Sequence, residues 1–486
     1  MTALGQERRA EEVGGAGLPL GFTVELDPGV IRLDSGRLLV GGSPLTAMRL
    51  SAAARALLPG GRLVVADPAS ARVADRLLAT NLAQPVLAGT DRAREDLSPD
   101  DLTVVVPVRD RAAQLDRCLA ALHPLRVVVV DDASLDPAAV AAVAERHGAR
   151  VVALATNVGP AGARNAGLAR VATPAVAFVD SDVEARAEDL LALGRHLADP
   201  AVALVGPRVA GHVRREGRPR WFERYDAAAS SLSLGRTPYA VRPGAGVAWL
   251  PSACLVGRTA SLGGGFETDL RVGEDVDLVW RLVAAGHRVR YEPAVTVRHD
   301  VRPTVKDWLG RKVLYGSGGA LLARRHGDHA APAVLSPTLA VAGAAILLRR
   351  RWSAPVAAAA LVHAGNAVAR VLPGDVPARD RAQVAAVLAT RGVGWAVRQE
   401  ASLLLRHWWP ATLLALPVPA VRRAVATALV VDTAVALTAA HDDDLDLPAL
   451  ALGRRLDDGA YGLGLWLGAI KGRSVAALRP RRPGNR

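Results

Sequence analysis

From residue 102 onward, apolar positions come in short, nearly unbroken runs separated by stretches with helical spacing. The runs 103–108, 127–130, 151–154 and 175–179 are dominated by Val and Ala, and unbroken runs of this length mark strands covered on both faces. Between them the spacing predicts helices over 112–122 and 137–147 and a third from Ala161. Repeated strand–helix alternation predicts an α/β domain built on a doubly wound sheet, with ligands collecting beyond the carboxyl ends of its strands. A further helix is expected from Glu274 through Leu282, and a further strand over 295–300.

Ahead of this domain the pattern is shorter and alternating. Strands are expected at 22–26, 30–33 and 37–42, joined by Asp27-Pro28-Gly29 and Asp34-Ser35-Gly36. Helices over 50–58, capped by Ser51, and 71–80, capped by Ser70, complete a small module. The expected organisation is a flexible N-terminus (1–20), this strand–helix module (21–95), the α/β domain (100–326) and an Ala-rich helical region (330–486).

That last region is apolar in pieces, at 330–348, 353–369, 411–421 and 424–440. The first contains Pro332 and Pro337 and runs into Arg349-Arg350-Arg351-Trp352. A full span leaving a cytoplasmic domain would place this Arg cluster outside, against the positive-inside tendency, so a re-entrant or interfacial hairpin is expected. Asp432, inside the last piece, would cost about 2.5–3.5 kcal/mol if it faced lipid. Trp408-Trp409 suits either an interface anchor or a buried aromatic pair. The expectation is a contact with the inner face of the cell membrane; the alternative is a soluble helical layer.

Composition adds little to this picture. The 60 basic residues exceed the 47 acidic ones by 13, and almost all are Arg, whose planar fork suits phosphate, although base composition of the gene accounts for it equally well. No nucleic-acid docking module accompanies the charge, so nucleic acid is not expected as a partner. Cys118 and Cys254 sit in apolar surroundings and read as core thiols in a reducing compartment. The first ten residues lack the apolar stretch of a secretory signal, so the catalytic portion is placed in the cytoplasm.

The chemistry sits at the predicted strand ends: Pro107-Val108-Arg109-Asp110, Asp131-Asp132-Ala133-Ser134 and Asp180-Ser181-Asp182. An acidic group there can accept from the imide nitrogen of uracil, with Asp132 preferred and Asp131 second; the alternative is that Asp131 or Ser134 caps the next helix. The loop from Asn157 to Gly167 opens a helix, and Arg164 with the helix N-terminus suits a diphosphate. Pro107, Asp131, Asp132, Arg164 and Asp180 thus form the expected nucleotide side. A divalent cation, Mg²⁺ or Mn²⁺, is expected on Asp182, with Asp180 at the ribose or a metal-bound water. His299 is a third candidate ligand, or a structural residue. Asp275 is the expected general base for an acceptor hydroxyl. Glu274 orients the acceptor or favours the helix dipole, and Asp277 caps or braces the helix.

Asp-Asp-x-Ser, the Asn…Gly…Ala-Arg-Asn-x-Gly loop, Asp-x-Asp, Gly-Gly-Phe-Glu and Gly-Glu-Asp-x-Asp-Leu occur in this order across residues 102–300. Together they resemble the family 2 glycosyltransferases. The resemblance implies the GT-A-like nucleotide-diphospho-sugar fold and inverting transfer from a nucleotide sugar without a covalent intermediate. The Gln-x-x-Arg-Trp motif of processive synthases is missing. The whole chain, including Trp308, Arg311, Tyr315-Gly316-Ser317-Gly318 and Arg324-Arg325-His326, resembles the mycofactocin-system glycosyltransferase family. That implies a β-1,4-linked glucose chain, from a UDP-glucose donor, on a peptide-derived redox cofactor. The N-terminal module resembles winged-helix, precursor-peptide-recognising domains, which take a peptide as an added strand. Alternatives are a cell-wall or polyprenyl-lipid glycosyltransferase of the same family, and an inactive sugar-nucleotide- or peptide-binding subunit.

Overall fold

A computed structural model describes residues 17–87, 97–215, 217–439 and 445–484. Most of the expected flexible stretch, residues 1–16, lies outside the described residues. The chain forms two compact units, Met1–Arg214 with Ser230–Asp300, and Arg215–Ala229 with Val301–Arg486.

The first unit opens with β1 (Thr23–Leu26), β2 (Ile31–Leu33), β3 (Leu38–Gly41), β4 (Thr46–Arg49), α1 (Ala52–Ala56), β5 (Arg62–Val64), α2 (Pro68–Ala79) and β6 (Ala83–Pro85). These make two small antiparallel sheets, β5-β1-β6 and β2-β3-β4, around Phe22, Val24, Leu39, Leu63, Leu77 and Leu82. Ser51 caps α1 as expected. The cap of α2 is Asp67, not Ser70: its carboxylate accepts from Ser70 N at 2.7 Å, while Ser70 Oγ accepts from Asp67 N at 2.9 Å. Pro68, pre-set for the first helical position, moves the start three residues earlier and makes Ser70 the return half of a capping box.

The main sheet follows with β7 (Leu102–Val108), α3 (Ala112–Leu122), β8 (Arg126–Asp131), α4 (Pro137–Arg146), β9 (Arg150–Ala153), α5 (Gly159–Leu168), β10 (Ala175–Val179), β11 (Val183–Glu184), α6 (Ala187–Gly194) and β12 (Val202–His212). The chain passes through α7 (Trp221–Ala228), part of the second unit, before β13 (Tyr239–Val241), β14 (Cys254–Arg258), α8 (Glu274–Ala284) and β15 (Arg288–Asp300). The strand order is β11-β15-β12-β14-β10-β7-β8-β9, with β13 also on β15. β10, β7, β8 and β9 are mutually parallel. The order runs outward from β7 to β9 and then returns to β10 on the other side of β7, so the C-terminal ends of β7 and β10 flank a topological switch point. Val104, Val106, Val129, Ala177, Val179 and Val256 fill the core beneath it. Cys118 and Cys254 are buried free thiols, and burial pushes both well above the usual thiol range.

The second unit is helical: α7, α9 (Val305–Ser317), α10 (Gly319–His326), α11 (Pro337–Leu348), α12 (Ser353–Val371), α13 (Ala378–Ser402), α14 (Trp409–Leu414), α15 (Pro419–Ala439) and α16 (Leu447–Lys471). α9 and α16 approach backbone to backbone. A Cβ at Gly464 would lie 2.0 Å from Val313 O, and one at Gly316 2.1 Å from Tyr461 O, so both positions require glycine. Asp432 does not stand alone in an apolar helix, since Arg454 meets both its oxygens at 2.6 and 2.7 Å and Arg455 pairs with it as well. Trp408 and Trp409 are half-buried and donate to Leu478 O and Gly459 O at 2.8 and 3.1 Å, tying this turn to the C-terminal part of the unit. The expected piece 411–421 is broken between α14 and α15 by Pro417-Val418-Pro419.

Candidate functional site

The ends of β8 and β10 present the carboxylates singled out by sequence. Asp131 is buried and its Oδ1 accepts from Ser134 N at 3.0 Å, closing the turn that leads to α4. Asp132 spends both oxygens on the next loop, accepting from Val158 N at 2.7 Å and Gly159 N at 3.0 Å. It braces the backbone that opens α5, where two adjacent N–H groups at a helix start satisfy the buried carboxylate. Pro107, one residue before the end of β7, pairs in register with Val130 of β8.

Arg164 departs most from expectation. It is only 2% exposed, and its Nη2 meets Asp180 Oδ1 at 2.5 Å while Nη1 meets Glu274 Oε1 at 3.1 Å. Its guanidinium lies 5.3 Å from the Phe266 ring centroid. The residue expected on a diphosphate forms a cross-brace between the β10 end and the head of α8. Both bonds are charge-assisted and inside the protein, where such pairs are strong. The adjacent Asn165, which sequence reading gave no role, fixes the Gly-Gly-Phe-Glu loop: its Nδ2 donates to Phe266 O and its Oδ1 accepts from Phe266 N, both at 2.8 Å. Gly265 sits at φ 70°, and a Cβ there would lie 2.2 Å from Asn165 Oδ1. The conjunction of the two motifs was the available signal, but only the fold shows that they touch.

Asp182 faces Arg111, whose Nη1 meets Oδ2 at 2.5 Å, and His299, whose Nε2 lies 3.7 Å from Oδ1. The β11–β15 ladder sets this, with Val183 opposite His299. Arg117 and Arg214 lock the ladder from below by pairing with both Glu184 and Asp300. The three expected metal ligands do not converge. Asp182 and His299 come together, whereas Asp180 is drawn to Arg164, and among the described residues no group of three or more His, Cys, Asp or Glu side chains is gathered. A carboxylate and an imidazole at this separation still fit a small divalent cation that takes few protein ligands and fills its other positions with phosphate oxygens and water.

On the far side of Arg164, Gly273 turns through φ 86° to start α8. Asp275, half-buried in its first turn, accepts from Val276 N at 2.8 Å and Ser252 N at 3.2 Å. Burial, followed by the neighbouring Glu274 charge, pushes its carboxyl up to about 7, against the opposing pull of the two N–H bonds and Arg164. A carboxylate poised near neutrality suits a proton acceptor. Asp277 is fully buried and accepts from Arg281 Nε at 2.7 Å, while Arg281 also donates to Gly265 O at 2.7 Å. It braces the helix, one of the two roles expected for it.

Carboxylates gathered at strand ends beside a switch point, with a carboxyl near neutrality at the head of α8, fit a group-transfer enzyme acting on a nucleotide-activated substrate, and residues 103–248 match the family described as Glycosyl transferase family 2. Across 482 residues the chain is 41% identical to the Pre-mycofactocin glycosyltransferase of Mycobacterium tuberculosis, covering 96% of this chain and 98% of that one. It belongs to this family of glycosyltransferases. A shorter match, 31% over 225 residues, covers 42% of this chain and 61% of the succinoglycan biosynthesis protein ExoO of Rhizobium meliloti. A mannosyltransferase from Pyrobaculum calidifontis, solved with GDP-Man and Mn²⁺, aligns over 62% of this chain and 84% of that one, at 24% identity and a TM-score of 0.36.

Proposed function

We propose that this glycosyltransferase moves a hexose, glucose from UDP-glucose, onto a peptide-derived mycofactocin-type acceptor with inversion, extending a β-1,4-linked chain. The observation that carries the chemical part is Asp275, a carboxyl raised to about 7 beside the brace that reaches the donor-side Asp180. In this reading Asp275 takes the proton of the acceptor hydroxyl. The hydroxyl oxygen forms its bond to the anomeric carbon on the face opposite the diphosphate, and the bond from that carbon to the diphosphate oxygen breaks, its electron pair leaving with UDP. Asp182 and His299 would hold the divalent cation, which when bound neutralises charge on the departing diphosphate. Arg164 keeps Glu274 and Asp180 at a fixed separation. The acceptor class rests on the relative's name, and in this reading the N-terminal module gives it a second contact, as a strand-adding surface for precursor peptide.

Mass spectrometry of acceptor incubated with the full chain, UDP-glucose and Mg²⁺ or Mn²⁺ tests the reading. Successive hexose additions that vanish with chelator and with Asp275→Asn are expected. Hexose on extracted lipid or polysaccharide, with none on the mycofactocin-type acceptor, would move the reading to the cell-wall alternative.

A membrane-surface setting is favoured by α12. It is the one described helix long and apolar enough to cross a membrane, and Ala354, Pro355, Ala358, Ala359 and Val362 are exposed on it. Arg349, Arg350, Arg351 and Trp352, 45% exposed, precede it directly. This reading places the helical unit on an anionic cytoplasmic leaflet. Co-sedimentation with phosphatidylglycerol vesicles should then fall about a hundredfold when the three arginines become Gln, and equal binding to neutral vesicles would count against it.

A further inference from the structure

The N-terminal module is fastened to the segment that supplies a hydrogen bond to Asp275. Asn81 follows α2 in the left-handed region at φ 56° and is 3% exposed. Its Oδ1 accepts from Ala240 N at 2.5 Å, and its Nδ2 donates to Ala240 O at 3.0 Å and to Ser43 O at 2.7 Å. A primary amide set against the N–H and C=O of a single residue reproduces the pairing a neighbouring strand would make, so Asn81 closes the free edge of β13. Ser43 adds a second point, its Oγ accepting from Gly246 N at 2.7 Å, and a third comes from Arg242 donating to Ser43 O at 3.3 Å. Gln84 of β6 adds a further bond just ahead of the segment, donating to Pro238 O at 3.3 Å, and the chain at Ser43 and Asn81 is closely packed, since a Cβ at Gly42 would lie 2.2 Å from Thr80 O.

The fastened segment is held at its start by the β13–β15 pairing and closes a turn in which Ala245 N donates to Arg242 O at 3.0 Å, but the turn itself is lightly packed. Over Pro243-Gly244-Ala245-Gly246 no side chain enters the core, and Val247 is the first buried residue after Val241. It then makes two contacts with the catalytic helix: Ala248 O accepts from Trp280 Nε1 at 2.8 Å, and Ser252 N donates to Asp275 Oδ2 at 3.2 Å. Module, segment and Asp275 are thus linked within one compact unit, by hydrogen bonds at the two ends of residues 240–252 and by the chain between them.

We propose that Asn81 and Ser43 are positioning residues for the transfer reaction, through which the N-terminal module holds the segment 240–252 and so fixes the Asp275 carboxylate toward the acceptor. The inference rests on the reading of Asp275 as base. Ser252 N–H favours the ionised carboxylate, so loosening the segment raises the carboxyl further. Full-length Asn81→Ala is expected to lower kcat about tenfold with the donor KM unchanged, and to move the acid limb of the kcat/KM profile upward by as much as about one pH unit. Ser43→Ala should shift the limb the same way by less. Asn81→Asp keeps the left-handed turn and the acceptor for Ala240 N, and should recover part of the loss. An unmoved acid limb in both Ala variants overturns the proposal, as does a fall in donor affinity matching the fall in kcat. Asp275→Asn belongs in the same series. If it retains turnover, the base assignment fails; if it is inactive while the Asn81 and Ser43 limbs stay in place, only the present inference fails.

Discussion

Asp180 and Asp182 at the end of β10 each meet a guanidinium at 2.5 Å, whereas Asp275 at the head of α8 receives two backbone N–H groups and lies beside another carboxylate. These two sets of carboxylates, joined through Arg164, therefore hold negative charge in opposite ways. In the proposed reaction these are the donor and acceptor sides, and on the donor side fixed positive partners offset the carboxylates where phosphate and cation would come and go. On the acceptor side the opposing charge is weaker than burial and Glu274 together, and the carboxyl rises to about 7. In that reading the difference separates charge-holding from proton transfer, and Arg164 is where the two meet, because it touches Asp180 with one nitrogen and Glu274 with another.

Breaking the acceptor side should have the largest effect. Asp275→Asn removes the proton acceptor and is expected to reduce transfer about 10²–10⁴-fold, with UDP-sugar affinity measured by calorimetry left within a factor of a few. Parent-like turnover would remove Asp275 from the chemistry. The same contrast predicts a pH signature. A carboxyl whose folded value lies near 7, above its ordinary 3.8, stabilises the native state when protonated. That contribution is complete below about pH 4 and is lost as pH rises through about 7. Activity has the opposite sign, rising as Asp275 ionises. Thermal melting across pH 4–8 should show a decline in the parent that is flatter in Asp275→Asn.

Removing the brace should come next. Arg164→Leu leaves Asp180 and Glu274 without their shared cation, and breaking such a buried pair costs about 3–5 kcal/mol. Denaturant midpoints would register this directly. Arg164→Lys keeps the charge but cannot reach two carboxylates with a planar fork, so it should recover stability in part while the donor and acceptor sides lose their fixed spacing. A stable, fully active Arg164→Leu would show that the two sides need no link.

The parallel strands, their helices and the motif positions were legible because each depends on local pattern: unbroken Val runs, helical spacing, and an acidic pair after glycine. What was not legible depends on partners far away in the chain. Nothing near Arg164 announces that it pairs with Glu274, 110 residues on, and a lone arginine in a glycine-rich loop reads as a phosphate ligand. Nothing near Asp132 likewise announces the Val158 and Gly159 N–H groups that the fold brings to it. β5 and β6 are three residues each, too short for any periodicity. Asn81 has no pattern at all, since a side chain standing in for a strand is visible only once β13 is beside it.

The smallest expected effect sharpens the donor half of the contrast. Arg111 is about a third exposed, with its Nη1 at 2.5 Å from Asp182, the carboxylate nearest His299. If that carboxylate also holds a divalent cation, Arg111 competes with the ion in the empty enzyme and must swing away as it binds. An arginine this exposed is partly screened by solvent, so the competition is worth only about 0.2–1 kcal/mol. Arg111→Gln should therefore tighten Mn²⁺ binding, read by electron paramagnetic resonance titration, by no more than about fivefold. Asp182→Asn and His299→Ala should each weaken it. A variant set in which Arg111→Gln weakens Mn²⁺ would mean that Arg111 holds Asp182 in place for the ion, and the donor side would then be organised by positioning, as the acceptor side is, and not by charge exchange.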